Sequence, residues 1–467
     1  MFSLRPDQLA LTGKVRERFS AGVQSVIAVA PCGFGKTICF ASLTAQAYQT
    51  GRRVMALVHR EELLDQVSDT FTQFNVEHGC IAPMRPNHRH RPIQIASVFS
   101  LCRRLADYEP PDLLIIDEAH HATAGSWGKI FAAWPNAHRL GVTASPERLN
   151  GQGLEDIFQE MIIGPSVREL INRGSLSEYK IFAPPTNVTD GIHRRAGDYD
   201  RKELGLAVDK PTITGDAIQH YRTLCDGKRA LVFCVSIQHA QHIAEDFTKA
   251  GYRASKIDGR MQSWERRKLV TDFRAGRIQI LTSCDIVSEG FDLPAVEVAI
   301  LLRPTQSLVL FTQQIGRALR PYPGKKCAII LDHANNTRTH GLPDEERNWS
   351  LQGKEVRTNY DSEPSVSVRT CGQCFAAVRS PAPVCPYCGY CWPLKPREVE
   401  EVEGTLEEVD RELVRRQQKI EVGRAKDMQA LLAIQNQRGY RPGWAYYVMQ
   451  ARQKKKKSVS ESLYART

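Results

Sequence analysis

The stretch Ala30-Pro31-Cys32-Gly33-Phe34-Gly35-Lys36-Thr37 follows the apolar run Ser25–Val29 and leads into a helix-length segment, Ile38–Tyr48. Its glycines allow successive backbone N–H groups to wrap phosphate oxygens. Its lysine suits β- and γ-phosphates, and its threonine hydroxyl suits Mg²⁺. Ala30 stands where the general form of such a loop has its first glycine. The order strand, loop, helix is still the one that aims a helix N-terminus at an anion. A glycine-rich turn that holds no nucleotide is the alternative these eight residues leave open.

Outward from this loop the chain alternates short β-rich runs with helix-length amphipathic segments. The predicted strands are Ser25–Ala30, Val54–His59, Ile93–Ser97, Leu113–Asp117 and Leu140–Thr143, then Ala230–Cys234, Ile278–Thr282, Val296–Leu302 and Ala328–Leu331. Continuous apolar strands separated by helices predict parallel sheets covered on both faces, and two such series predict two α/β domains. Gly164-Pro165 and Arg173-Gly174-Ser175 interrupt the pattern, which places the domains at residues 1–172 and 173–345. Asp190–Lys210 is polar and poorly periodic and reads as a loop or inter-domain insertion. Residues 346–368 read as a linker, 369–394 as a cysteine-rich module, and 395–467 as an acidic linker, a helical segment and a basic tail.

With 467 residues, 42% hydrophobic and 25% charged, the chain has the balance of a folded protein with several cores. No apolar run approaches the ~18 residues of a membrane helix. Met1–Gln8 lacks the charged-then-apolar form of a leader, so the expected address is the cytoplasm, with reduced cysteines and no membrane partner. The formal charge of +11 favours a polyanionic partner. That excess is uneven: residues 1–172 carry 17 basic and 17 acidic side chains, residues 173–345 carry 25 and 20, and residues 441–467 carry 7 and 1.

The run Leu113–Ile116 empties into Asp117-Glu118-Ala119-His120. On a strand beside the phosphate loop, one carboxylate can face a metal while the other orients and deprotonates water. Magnesium would be shared between Thr37, phosphate oxygens and Asp117, the last directly or through water. Alone, such a pair is often only a solvated strand end.

With the motifs that accompany it in order, this pair makes the chain resemble a superfamily 2 helicase or translocase of the DEAH-box type, from Leu4 to about Leu331. Leu4-Arg5-Pro6-Asp7-Gln8 is similar to the adenine-recognition motif. His59-Arg60-Glu61-Glu62-Leu63 and Ser97-Val98-Phe99-Ser100 match the nucleic-acid-contacting stretches, and Thr143-Ala144-Ser145-Pro146 resembles the coupling motif. In the second half, Val232-Phe233-Cys234, Thr282-Ser283-Cys284-Asp285, Glu289-Gly290-Phe291-Asp292 and Gln313–Arg320 fill the remaining places. The resemblance implies two tandem RecA-like domains that bind ATP and Mg²⁺. It places Arg5, Gln8, Pro31, Cys32, Gly33, Phe34, Gly35, Lys36, Thr37, Gly290 and Asp292 at the nucleotide. Catalysis would fall to Lys36, Asp117, Glu118, Gln313, Arg317 and Arg320, coupling to His120, Thr143 and Ser145, and nucleic-acid contact to Arg60, Ser97, Thr282 and Ser283.

Physical reasons accompany these transfers. The Gln8 amide can pair with the donor and acceptor of adenine. Arg317 and Arg320, three apart on a predicted helix, share one face and can reach a γ-phosphate. Arg303-Pro304-Thr305-Gln306-Ser307 and Ile329–Ala334 look like the bacterial RadD group of DNA-repair helicases and related phage proteins. That resemblance implies a monomeric motor on DNA, with RNA not excluded, and a replication or repair protein as partner. A switch that binds DNA without unwinding it and the motor subunit of a restriction-like complex are the alternatives.

Cys371-x-x-Cys374 and Cys385-x-x-Cys388 are separated by ten residues, with Gly372, Pro386 and Gly389 at the turns. Four thiolates on two such turns form a closed tetrahedral Zn²⁺ site, a zinc ribbon. Cys391 offers a competing last ligand. In the tail, Leu431, Leu432, Ile434, Trp444 and Tyr447 are expected to pack a small helical unit ahead of the basic Arg452–Lys457.

Overall fold

The apolar runs around the phosphate loop become strands buried on both faces, because helices cover each side of a parallel sheet. The computed structural model describes residues 3–183, 194–195, 198–199, 211–284, 293, 296–352, 368–392 and 420–451, apart from positions 60, 84, 87, 123–124, 149–151, 381, 426, 439 and 442. The chain forms two compact units, Met1–Pro393 and Leu394–Thr467.

In the first unit, β1 (Ser25–Val29), β2 (Val54–Val58), β3 (Gly79–Ile81), β4 (Ile93–Ser97), β5 (Leu113–Asp117), β6 (His138–Thr143) and β7 (Glu160–Ile163) form a seven-stranded sheet in the order β3-β4-β2-β5-β6-β1-β7. Every pairing in it is parallel. Ile27, Leu57, Leu114 and Ile116 pack on Trp127 and Phe158 on one face, while Val26, Ala56 and Ile115 meet Phe40, Leu64 and Phe71 on the other. From β1 the chain passes over the places of β6 and β5 to reach β2. Such a skip opens a crevice at the carboxyl ends of the strands, where doubly wound sheets bind ligands.

The second sheet follows β8 (Tyr179–Phe182) and a short antiparallel pair, β9 (Arg194–Arg195) and β10 (Asp198–Tyr199). It contains β11 (Ala230–Phe233), β12 (Ala254–Ile257), β13 (Ile280–Ser283), β14 (Val298–Leu301) and β15 (Ala328–Asp332), in the order β12-β13-β11-β14-β15-β8. Its pairings are all parallel. Two sheets of this kind are the predicted tandem RecA-like arrangement. Apart from β9 and β10, all of Asp190–Lys210 lies outside the described residues.

The cysteine-rich module adds an antiparallel pair, β16 (Val368–Thr370) and β17 (Ala377–Arg379). It docks on the free edge of β8, where the Ala183 N–H donates to the Phe375 carbonyl at 3.0 Å. Beneath the dock, the buried Asp344 carboxylate accepts from the Tyr179 hydroxyl and from Arg168, and pairs with Arg379 at 3.1 Å.

In the second unit, Asp427 caps the helix Met428–Gln437 by accepting from the Ala430 N–H at 2.8 Å. Leu431 and Ile434 are buried there as expected, but Leu432 and Tyr447 are exposed. Leu432 points off the helix face that carries Leu431 and Ile434, whereas Trp444 packs against that core as expected and also meets Tyr440, with centroids 4.6 Å apart. Among the described residues, no helix is long and apolar enough to cross a membrane.

Candidate nucleotide cleft and metal centre

The helix Lys36–Gln49 starts from Gly35, and Gly33 and Gly35 have φ of 86° and 91°, a region that only glycine enters without strain. A Cβ at Gly35 would lie 2.7 Å from Gln8 Nε2. Gln8 is buried, donates to the Phe34 carbonyl at 2.9 Å and accepts from the Arg5 N–H at 3.0 Å. Arg5 donates to the same carbonyl at 2.6 Å and lies over the Phe34 ring. The N-terminal motif therefore braces the phosphate loop from behind. Lys36 Nζ reaches back to the Ala30 carbonyl at 3.3 Å.

Asp117 ends β5 beside this loop. Burial, and then the neighbouring Glu118 carboxylate, push its pKa up to about 7, against the pull of Lys36 and the Glu118 N–H. Glu118 itself has φ 48°, a left-handed conformation that costs a non-glycine residue roughly 1–3 kcal/mol and clusters at functional sites. His120 Nδ1 lies 3.0 Å from Thr143 Oγ1 and 3.5 Å from the Glu118 carboxylate. The Thr143 hydroxyl donates to the Ser145 carbonyl at 2.8 Å. Oγ1 also accepts from the Ser145 N–H at 3.2 Å, and the direction of its bond with His120 Nδ1 follows the imidazole tautomer. The structure brings His120, Thr143 and Ser145 into one network with Glu118.

The opposite wall is the helix Leu308–Leu319, capped by Ser307. Its Gly316 lies so close to Cys32 that an added Cβ would stand 2.4 Å from the Cys32 Cβ. A cleft of about 1000 Å³ results, lined by Arg5, Cys32, Gly33, Gly35, Lys36, Thr37, Asp117 and Glu118 from one sheet domain and by Gln313, Gly316, Arg317 and Arg320 from the other. Both polar atoms of the Gln313 side chain are buried without a hydrogen-bond partner among the described residues. A buried amide in that state marks a place for a polar ligand. Asp65 and Arg267 pair across the same cleft at 2.9 Å.

Arg320 corrects the one-face expectation. The helix ends at Leu319, and Arg320 is its extended C-cap, at φ −62° and ψ 132°. It still lines the cleft, because Lys325 gathers the Val296, Ala318 and Arg320 carbonyls and holds the turn in place. Burial lowers the Lys325 pKa to about 8. Sequence reasoning uses Pro323-Gly324-Lys325-Lys326 only for the resemblance to the RadD group and gives this lysine no role.

The expected nucleic-acid residues fare differently. Arg60 lies outside the described residues, as do Gly290 and Asp292 at the nucleotide. Ser97 is the N-cap of the helix Val98–Cys102, with no side-chain cap bond. The Ser283 hydroxyl is buried without a partner among the described residues. Thr282 is a correction: it is fully buried and donates at 2.7 Å to the Ala240 carbonyl of the helix Ile237–Lys249, so its hydroxyl ties that helix to β13.

In the ribbon the Sγ atoms of Cys371, Cys374, Cys385 and Cys388 all lie within 4.8 Å of one another. Two of the pairs, Cys371 with Cys388 and Cys374 with Cys385, are 3.6 Å apart. Tetrahedral zinc with Zn–S of ~2.3 Å needs sulfurs about 3.8 Å apart, so the cage has the right size. Phe375 and Gly389 take the left-handed positions of the two knuckles. Cys391 is exposed and lies outside the cage, its Sγ 3.8 Å from the Gly389 carbonyl.

Residues 1–148 match the family described as the res subunit of type III restriction enzymes, and residues 216–322 match the helicase conserved C-terminal domain. A 51.5 kDa protein of a Lactococcus phage is 36% identical over 346 residues, 74% of each chain. The putative mitochondrial ATP-dependent helicase irc3 of Schizosaccharomyces pombe is 26% identical over 394 residues, covering 78% of this chain and 64% of that protein. Among solved structures, a fragment of a putative HsdR subunit of a type I restriction enzyme from Vibrio vulnificus YJ016 has the same fold. Its TM-score is 0.60 at 21% identity, over 74% of this chain and 67% of that one.

Proposed function

The chain belongs to superfamily 2 of the helicases and translocases and is an ATP-hydrolysing motor of nucleic acids, and from that premise we propose that its track is DNA and its setting repair, recombination or replication. The match of residues 1–148 to a restriction-enzyme subunit supports DNA over RNA. The observation that carries the site assignment is the single cleft in which the phosphate loop and Asp117-Glu118 face Gln313, Arg317 and Arg320.

In this reading Lys36 and the loop N–H groups hold the β- and γ-phosphates. Thr37 and Asp117 hold Mg²⁺, which supplies charge neutralisation at the phosphates. Glu118 orients the attacking water and takes its proton, with His120 fixing the carboxylate from behind. Gln313, Arg317 and Arg320 place donors around the charge that develops on the γ-phosphoryl oxygens. Arg5 and Gln8 brace the loop, and Gln8 retains amide capacity for adenine. Because the donors come from both sheets, closure assembles the site and release after hydrolysis opens it. The ribbon holds a structural zinc through Cys371, Cys374, Cys385 and Cys388. Ser97 and Ser283 remain the candidates for backbone contacts to the strand, which read no sequence.

Lys36→Ala and Glu118→Gln test the assignment by ATP turnover with single-stranded DNA, duplex DNA and matched RNA. Each should lower the stimulated rate by about 100-fold or more, and DNA should stimulate the wild type more than RNA. Turnover retained in both variants would refute the site, and stimulation by RNA alone would refute the DNA track. A second reading, the motor of a restriction-like complex, draws on the same res-subunit match. It expects ATPase with translocation but no strand displacement by this chain alone.

A further inference from the structure

The carboxyl ends of β2, β5, β6 and β1 lie side by side, and a continuous row of groups crosses them. His59 follows β2, and its ring lies 4.3 Å from that of His121 at an interplanar angle of 42°. His121, on the turn after β5, lies 4.2 Å from His120 at 43°. His120 reaches Thr143 at the end of β6 and the Glu118 carboxylate. The Thr143 carbonyl then accepts the Ala30 N–H at 3.0 Å, where the phosphate loop leaves β1.

The two ends of this row differ in exposure. The His120 side chain is fully buried and that of Glu118 is 14% exposed, whereas His59 and His121 are only half-buried. Ring centroids of packed aromatic pairs usually stand 4.5–7 Å apart. These imidazoles, at 4.2 and 4.3 Å, stand slightly closer than that range, so a displacement of one ring displaces the next.

We propose that His121, clamped between His59 and His120, is a positioning residue that carries engagement of a nucleic-acid strand at the end of β2 into the orientation of Glu118. This rests on the motor reading above. A strand that meets the turn after β2 presses the His59 ring. The column passes that movement to His120, whose Nδ1 stands between Thr143 and Glu118. The carboxylate that orients water thereby responds to the track, and no part of the strand needs to enter the cleft.

The test compares His121→Ala with His121→Phe, measuring ATP turnover with and without saturating single-stranded DNA and the KM for ATP. For His121→Ala the ratio of stimulated to unstimulated rate should fall by about tenfold, with KM within about twofold of wild type. His121→Phe keeps the ring contact and should hold the ratio within about threefold. His59→Ala provides a second break in the row, with the same expected loss of ratio. An unchanged ratio in His121→Ala and His59→Ala overturns the inference, and so does a parallel fall of both rates, which is what a merely structural role produces. Loss of the ratio in His121→Phe as well overturns transmission through ring contact. A wild-type chain that neither DNA nor RNA stimulates overturns the motor reading and the inference with it, whereas stimulation that survives His121→Ala overturns the inference alone.

Discussion

Asp117 in the nucleotide cleft and Asp344 under the ribbon dock are both buried carboxylates, 5% and 3% exposed, and their surroundings drive them in opposite directions. Burial and the Glu118 carboxylate raise Asp117, and Lys36 only partly offsets them. Burial would also raise Asp344, but the Tyr179 hydroxyl, the Arg168 guanidinium and the charge of Arg379 outweigh it and hold the carboxyl below its ordinary range. The dock is completed by the chain's own side chains. The cleft, with Gln313 unpartnered among the described residues, is left incomplete by them. Buried polar groups without internal partners mark where a ligand belongs, and satisfied ones mark where the fold is fastened.

The largest test of this contrast lies next to the dock. A module with so small a core cannot fold on burial alone, and metal binding to such sites is worth about 10–16 kcal/mol of apparent folding energy. Replacing Cys371 and Cys374 together by Ser should abolish zinc binding, reducing it from one equivalent, and make β16 and β17 susceptible to limited proteolysis. Unaltered metal content would place the ion elsewhere. A smaller but still large effect is expected at the fastening itself. Asp344→Ala leaves Arg168, Arg379 and Tyr179 facing a void and should cost roughly 3 kcal/mol in thermal or denaturant unfolding. Because the folded carboxyl titrates below its unfolded value, the stability it provides is present at neutral pH and is lost as pH falls through the folded pKa, below the usual carboxylate range. An Asp344→Ala chain as stable as wild type would mean that the dock is not fastened there.

The sequence was legible where information is local. The central strands of the two parallel sheets are mostly apolar and were all foreseen, whereas the four missed in those sheets, β3, β7, β8 and β12, are their outer edges. Each is only three or four residues long and partly exposed, as in Ala254-Ser255-Lys256-Ile257, so neither an apolar run nor strict alternation announces it. The phosphate loop and Asp117-Glu118 were readable because each motif is contiguous. The departure of Arg320 from the helix was readable too: Pro321 follows it, and a residue before proline avoids the helical region. The burial of Thr282 was not, since in a parallel sheet both faces are covered and nothing local separates an inward hydroxyl from an outward one. Nor was the contact of Gly316 with Cys32, which exists only once the two sheets face each other.

The smallest predicted effect is also the one with the unusual sign. If the cleft is incomplete, removing a charge from it should stabilise the metal-free chain, whereas removing one from the dock destabilises it. Asp117→Asn keeps the shape and discards the charge. In the unfolded chain the carboxyl titrates near 3.8, and in the fold near 7. Below the lower value both states are protonated and the variant gains nothing. Between the two values the unfolded chain ionises first, so wild-type stability declines as pH rises while that of Asn does not, and above about 7 the gap is constant. Each pKa unit corresponds to about 1.4 kcal/mol, and Glu118 shares part of the repulsion, so a gain on the order of 2 kcal/mol at pH 8 is expected. Melting curves in a chelating buffer from pH 4 to pH 8 should show the variant's advantage opening across that range while its ATP turnover is lost. An advantage that is absent at pH 8, or that grows toward acid, would show that the cleft carboxylate is satisfied by the protein itself and would remove the distinction between the two regions.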